Sequence, residues 1–408
     1  MIRGFKIRLL PDKSQEEKLW QHVHAARAVW NWGLNYEMER FKNSEKHLSA
    51  FDMINTLTLL RKTEEYAWLN NVSSKSLSNI LLDLGKAYDG FFATKPARYV
   101  KKKLAKAART GEKLTFYDLE GHPKFKSKKD NDFRFPSRHE SVYFKNQRVN
   151  IEKIGKIQYQ TNYALPQGRG VCKISNPRIK YINKKWILSF GIDCESQATT
   201  LTDKSLGIDL GVKTLATASF GGQKIVIHNI NKSKRMRALE KKKKHIQRNI
   251  ARKYHTNGNY VKTKNIMKAK KLLQRVQSRI TNKRHNYTHQ STHDLISLLP
   301  YRIVMEGLNV KGMMKNKHLS KAIQDSRFAE FIRQMKYKCE ERGIEFILVG
   351  RWYPSSKTCS CCGTIKKDLK LKDRVFKCDH CGLVIDRDFN ASLNLERYDR
   401  QKEERLSA

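Results

Sequence analysis

"CSCCGTIKKDLKLKDRVFKCDHCGLVIDRDFNAS", Cys359 to Ser392, is the stretch on which the reading of this chain turns. Cys359-x-x-Cys362 and Cys378-x-x-Cys381 are two knuckles separated by the 15 residues 363–377, the spacing with which four thiolates surround one Zn²⁺. Gly363 or Gly382 eases each tight turn. Cys361 clouds the ligand choice, but it adjoins Cys362, and adjacent cysteines do not form the usual knuckle. Four protein ligands leave no open position for substrate, so the ion is expected to be structural and to stabilise its ribbon by something on the order of 10 kcal/mol. Such a clip has no need of the Asp386-Arg387-Asp388 and Asn390 that follow it.

Outward from that stretch, charge sets the partner class. The 408 residues carry 83 Lys and Arg against 39 Asp and Glu, a formal +44 that would repel itself in a compact fold without a polyanion nearby. The longest apolar runs, such as "FILVG" at 346–350, fall far short of the roughly 20 residues of a membrane span. "MIRGFKIRLLP" lacks the apolar core of a secretory signal, so an intracellular protein is expected. Five of the eight cysteines lie between 359 and 381, which fits metal ligation in a reducing compartment. Cys172, Cys194 and Cys339 are expected to be ordinary buried thiols.

Three textures follow one another along the chain. "IRGFKIRLL" alternates as a half-buried strand, and Asp12 or Ser14 then caps a helix marked by Leu19, Val23, Ala26, Trp30 and Leu34. Leu77, Leu81, Leu84, Tyr88 and Phe91 form a core stripe on a later helix, and core packing is also the expected role of Trp30, Trp32 and Tyr36. Residues 96–113 are so basic that they form either a solvated helix or a phosphate-facing arm. From 122 to 200, short segments such as "KIQYQ", "RIKYI" and "KWILSFGIDC" indicate a small antiparallel barrel or sheet. "SLGIDLGVKTLATASF" at 205–220, "RIVMEGLN" at 302–309 and "IEFILVGRWY" then alternate with helices as an α/β sheet does. Between the first two, residues 231–284 hold 20 Lys or Arg and one acid, Glu240, a like-charge run that calls for an anion against it.

Asp209 and Glu306 each sit inside an apolar strand, where an unpaired charge is costly, and Asp388 opens a short helix after the zinc ribbon. Three such acids, far apart in sequence, suit the oxygen-ligand set of two Mg²⁺ ions in phosphodiester hydrolysis. His285, His289 and His293 have i, i+4 spacing, but no acid is placed as in H-E-x-x-H, and they are expected to face solvent or phosphate.

"GIDLGV" at 207–212, "MEGLNV" at 305–310, "WYPSSKTCSCCG" at 352–363 and "KCDHCGLVIDRDFNASLN" at 377–394 closely resemble the RuvC-like nuclease and zinc ribbon of the TnpB family. Those proteins are insertion-sequence-encoded, RNA-guided DNA endonucleases related to type V CRISPR effectors. Further matches at 68–92, 122–129, 280–289 and 328–338 extend the resemblance over nearly the whole chain. Ser78, Asn286 and Gln290 depart from the family's usual Gln, Asp and Lys.

The resemblance implies an α+β multidomain protein. A wedge-like β-barrel (1–10 and 120–200) would be interrupted by a helical recognition insert (11–119). An RNase H-like (RuvC) α/β nuclease domain (201–352 and 383–408) would carry the inserted zinc ribbon (353–382). Asp209, Glu306 and Asp388 would be catalytic and bind Mg²⁺, with Cys359, Cys362, Cys378 and Cys381 on one Zn²⁺. The partners would be a guide RNA derived from the transposon end and target double-stranded DNA, without a membrane, in the cytoplasm of a bacterium or archaeon and associated with its nucleoid. A guide-directed DNA-binding protein that does not cut, or a DNA-joining transposase, are the alternatives.

Overall fold

The computed structural model describes residues 2–399 apart from 44, 95–96, 112–117, 129–132, 194–198, 257–262, 351–352 and 371–372; Cys194 lies outside the described residues. The chain forms two units, Met1–Glu195 and Ser196–Ala408.

In the first unit, β1 (Ile2–Leu10) buries Phe5, Ile7 and Leu9 and exposes the residues between them, as a one-sided strand requires. Pro11 ends it, and Asp12 rather than Ser14 caps α1 (Lys13–Lys42): its carboxylate accepts from the Gln15 N–H at 2.8 Å, while the Gln15 side chain accepts from the Asp12 N–H at 3.2 Å. There follow α2 (Ala50–Leu60), α3 (Ser74–Thr94), α4 (Ala97–Thr110), and the strands β2 (Phe133–Pro136), β3 (Tyr143–Lys145), β4 (Arg148–Ile151), β5 (Gly155–Gln160), β6 (Ile174–Ile182) and β7 (Lys185–Asp193). The basic stretch after residue 96 is thus helical, burying Val100 and Ala107. The whole α3 stripe from Leu77 to Phe91 is buried, and Trp30 packs in the same core with its indole N–H donating to the Lys124 carbonyl at 3.0 Å. Trp32 and Tyr36 stack on each other with centroids 5.5 Å apart.

The expected barrel is not closed. Among the described residues the strands form one sheet in the order β2-β6-β7-β1-β5-β4-β3, with β2 and β3 as its edges and its neighbouring strands antiparallel. The helices explain this. α1 and α3 pack against β2, and Leu19, Val23, Leu77 and Leu81 share a continuous core with Phe135, Phe144, Ile179 and Phe190. Helices therefore cover apolar sheet surface that a barrel would bury by closing on itself.

In the second unit, β8 (Thr202–Leu210), β9 (Thr214–Phe220) and β10 (Gln223–His228) run antiparallel in succession. The long basic helices α5 (Lys234–Thr256) and α6 (Lys264–Ile296) follow, and β11 (Pro300–Glu306) returns parallel to β8. After α7 (Val310–Met313), α8 (Ser320–Ser326) and α9 (Phe328–Arg342), β12 (Glu345–Val349) joins parallel to β11. The sheet order is β10-β9-β8-β11-β12, an α/β sheet of mixed direction. The small hairpin β13 (Val375–Lys377) and β14 (Val384–Asp386) leads into α10 (Arg387–Glu396).

Both faces of this sheet are buried. Leu206, Ile208, Ile303 and Met305 pack with Leu295 of α6 and with Phe328, Phe331 and Met335 of α9. On the other face Val304 and Val349 pack with Leu395 of α10 and Tyr398. α5 and α6 bury Met236, Ile246, Ile250, Val276 and Ile280 against each other. The single acid of that run, Glu240, is spent inside the pair: it meets Lys243 at 2.8 Å and Arg284 at 3.2 Å. Among the described residues no helix is long and apolar enough to cross a membrane.

Leu81→Ala should destabilise the first unit by about 2–5 kcal/mol through the cavity it leaves. Urea unfolding followed by tryptophan fluorescence checks this, because five of the six tryptophans (20, 30, 32, 68 and 186) lie in that unit.

Candidate active site

Strand periodicity places Asp209 on the same face of β8 as Gly207. Glu306 shares that face on β11: Val304 pairs with Gly207 and Met305 with Ile208, so Glu306 falls one step on, beside Asp209, about 4.8 Å away in the direction across the strands. α10 lies over this face. A Cβ added to Gly207 would stand 2.1 Å from the Ser392 carbonyl oxygen and 2.2 Å from the Glu396 amide nitrogen, so the helix backbone rests directly on the strand. From there to Asp388 in its first turn is four to eight residues, or about 6–12 Å of helix, matching the ~7 Å from residue 207 to residue 209 along β8. The N-terminus of α10 is thereby brought toward the two strand acids.

The electrostatics agree with that placement. Asp209 keeps an accessible edge yet lies deep enough for desolvation to push its carboxyl well above the usual carboxylate range, and the nearby charges of Asp388, Glu306 and Asp386 push it further. Arg387, whose guanidinium is 3.5 Å from Asp388, opposes the rise. Burial raises Glu306 too. Asp386 caps α10 by accepting from the Phe389 N–H at 2.9 Å, and Lys224 of β10 reaches its carboxylate at 3.2 Å. Partly desolvated carboxylates that repel one another, with only oxygen donors, fit a hard divalent cation such as Mg²⁺.

The four cysteines form a tighter group, their sulfurs all within 4.8 Å of one another. Cys359 to Cys381 and Cys362 to Cys378 are each 3.5 Å apart, close to the ~3.8 Å edge of a tetrahedron with Zn–S bonds of about 2.3 Å. Cys361 is exposed and outside the group, which settles the ligand choice by geometry. The four residues therefore fit one Zn²⁺. Of the remaining cysteines, Cys339 is buried and Cys172 half-buried.

α10 is bolted to the start of the ribbon by side chains that the sequence did not single out for this work. Asn390 accepts from the Ser360 N–H at 3.0 Å and donates to the Thr358 carbonyl at 2.7 Å. Asn394 donates to the Ser355 and Thr358 carbonyls at 2.7 Å, and Arg397 to the Ser360 carbonyl at 2.5 Å. Asn, Asn and Arg at positions 390, 394 and 397 recur on one side of a helix, the only local sign of this contact.

Comparison with known proteins agrees with this architecture. Residues 187–317 match a family model described as "Probable transposase", of the OrfB type of IS605 elements, and residues 328–395 match a "Cas12f1-like, TNB domain". Residues 1–46 match a model named "Helix-turn-helix domain", although here they form one strand and one long helix. A protein of Streptomyces pristinaespiralis, named "Putative RNA-guided DNA endonuclease", is 30% identical over 396 residues, covering 96% of this chain and 88% of its own. InsQ of Escherichia coli, similarly named, is 28% identical over 97% of this chain and 91% of its own. The Cas12f1 endodeoxyribonuclease of Sulfoacidibacillus thermotolerans is 26% identical over 52% of this chain and 50% of its own. These matches place the chain in a class of transposon-related nucleases. Within that class, the chain belongs to the TnpB family.

Gly207→Ala should cost about 1–3 kcal/mol, because backbone rather than a flexible side chain must yield. Denaturation measures that cost, and any nuclease activity should fall by a further ~100-fold as Asp388 is displaced. Cys378→Ser should free the ribbon, seen as new proteolytic nicking between the knuckles and loss of one zinc by atomic spectroscopy, while the first unit melts as before.

Proposed function

We propose that this protein is an RNA-guided DNA endonuclease of an IS605-type transposable element, hydrolysing phosphodiesters of target DNA at Asp209, Glu306 and Asp388. The observation that carries the reading is the approach of α10 to β8 at Gly207, which directs Asp388 toward two acids on neighbouring parallel strands. Relatives named as RNA-guided DNA endonucleases, matched over nearly the full length of both chains, supply the substrate class.

In this reading the three carboxylates hold Mg²⁺, which when bound supplies an activated water and charge neutralisation at the scissile phosphate. The protein's own part is to fix the oxygens on rigid elements, two on adjacent strands and one on a helix braced by the ribbon. Cys359, Cys362, Cys378 and Cys381 would hold a structural Zn²⁺ that takes no part in the chemistry, and the ribbon they form keeps that helix in place through Asn390, Asn394 and Arg397. Sequence is read by pairing of a guide RNA, derived from the transposon end, with one DNA strand; the chain grips backbone charge and inspects only a short adjacent motif. The outward face of the α5 and α6 pair, whose apolar residues are turned inward, provides a phosphate-binding surface. The site of action is the cytoplasm, at the nucleoid.

Asp209→Ala should reduce Mg²⁺-dependent cleavage of a guide-matched plasmid by at least about 10³-fold while RNA binding stays unchanged. Cleavage retained by this variant overturns the assignment of the site. Joined rather than simply cut products from the unaltered protein would favour a transposase, and tight guided binding without any cutting a DNA-binding protein.

A further inference from the structure

α6 and α9, which pack on the sheet face opposite Asp209 and Glu306, carry a second group of metal-type donors. One ligand atom from each of His285, His289 and Glu330 lies within 4.8 Å of the others, the one such group among the described residues besides the four cysteines. The sequence shows only half of it. His285 and His289 stand one turn apart on α6, and the acid that H-E-x-x-H would put between them comes instead from the first turn of α9. His293, one turn on, is exposed and outside the group.

We propose that His285, His289 and Glu330 bind a borderline divalent transition ion of the Zn²⁺ class, clamping α6 to α9 and leaving a fourth coordination position open to solvent. Two imidazoles and one carboxylate are a donor set for Zn²⁺ or Co²⁺ and a poor one for Mg²⁺ or Ca²⁺. The imidazole rings are set edge to face with centroids 4.4 Å apart, and His285 Nδ1 lies 3.9 Å from the nearer Glu330 oxygen. Bond lengths of about 2.0–2.2 Å from a central ion put tetrahedral donors ~3.4 Å apart, within reach of small side-chain rotations.

The surroundings hold these groups as ligands need to be held. Fully buried Gln334 donates to Glu330 Oε1 at 2.8 Å and accepts from Thr292 at 3.1 Å, while Lys338 donates to the His289 carbonyl at 2.8 Å and to Thr292 at 2.7 Å. Such outer partners fix the orientation of ligating side chains.

Arg333 is the competitor. Its guanidinium donates to both Glu330 oxygens at 2.8 and 2.9 Å, but the side chain is 60% exposed and can turn into water when an ion takes its place. The clamp has a mechanical consequence: it adds a bond to the packing of α6, half of the basic helix pair, on α9 of the sheet's core.

The test uses the full chain, stripped of nucleic acid by nuclease and high salt, equilibrated with Zn²⁺ alone and counted by atomic spectroscopy. Two equivalents are expected in the unaltered protein at about 100 µM free Zn²⁺, and one in both His285→Ala and Glu330→Gln. His285 is 46% exposed, so its removal leaves the fold intact. Cys378→Ser should keep the second equivalent, and Co²⁺ bound there should lack the sulfur-to-metal absorption of the ribbon. Arg333→Gln should tighten binding about tenfold by removing the rival cation. A single equivalent in the unaltered protein, a second one undiminished in both His285→Ala and Glu330→Gln, or unchanged affinity in Arg333→Gln overturns the proposal. DNA cleavage is not the readout, so its presence or absence leaves this result independent of the proposed nuclease.

Discussion

The second unit of this chain depends on one missing side chain. At Gly207 the backbone of α10 lies so close to β8 that even a methyl group would collide with the Ser392 carbonyl. Everything on that face is set by this approach, since the helix end that carries Asp388 can reach Asp209 only if the helix body sits down on the strand. Contact through Leu395 and Tyr398 draws the helix down, and the glycine lets its backbone come to rest on the strand.

The ribbon contributes at the other side of the same helix. Its four cysteine sulfurs lie within 4.8 Å of one another, but the link to the helix passes through Asn390, Asn394 and Arg397, which hold the backbone of residues 355–360. These bonds satisfy buried backbone groups that would otherwise be left without partners in a loop. The cysteine group and Asp388 are therefore linked without touching, through the ten residues of α10.

What the sequence made legible was local or doubly marked. Two C-x-x-C knuckles announce their shared ligand because each is a closed turn, and acids inside "GIDLG" and "MEGLN" stand out because apolar strands rarely carry them. Asp12 was readable as a cap for the same local reason. Less could be seen of anything decided between elements. The first unit's strands alternate as they would in a barrel, and only the packing of α1 and α3 against β2 shows why they need not close. Glu330 looked like one charge among many on a helix, and nothing near it announced two imidazoles 41 and 45 residues earlier. Gly207 was legible only as part of a strand; its steric role belongs to a helix nearly two hundred residues away.

The direction in which α10 runs has a consequence of its own. Its amino end points toward the strand acids, and the aligned peptide dipoles give that end a partial positive charge equivalent to roughly half a proton. The backbone thus lends a field that favours anions at the spot where side chains crowd them together. The same acid delivered by a helix of opposite polarity would meet a field of the wrong sign, so chain direction at this point is as much a part of the centre as the residues themselves.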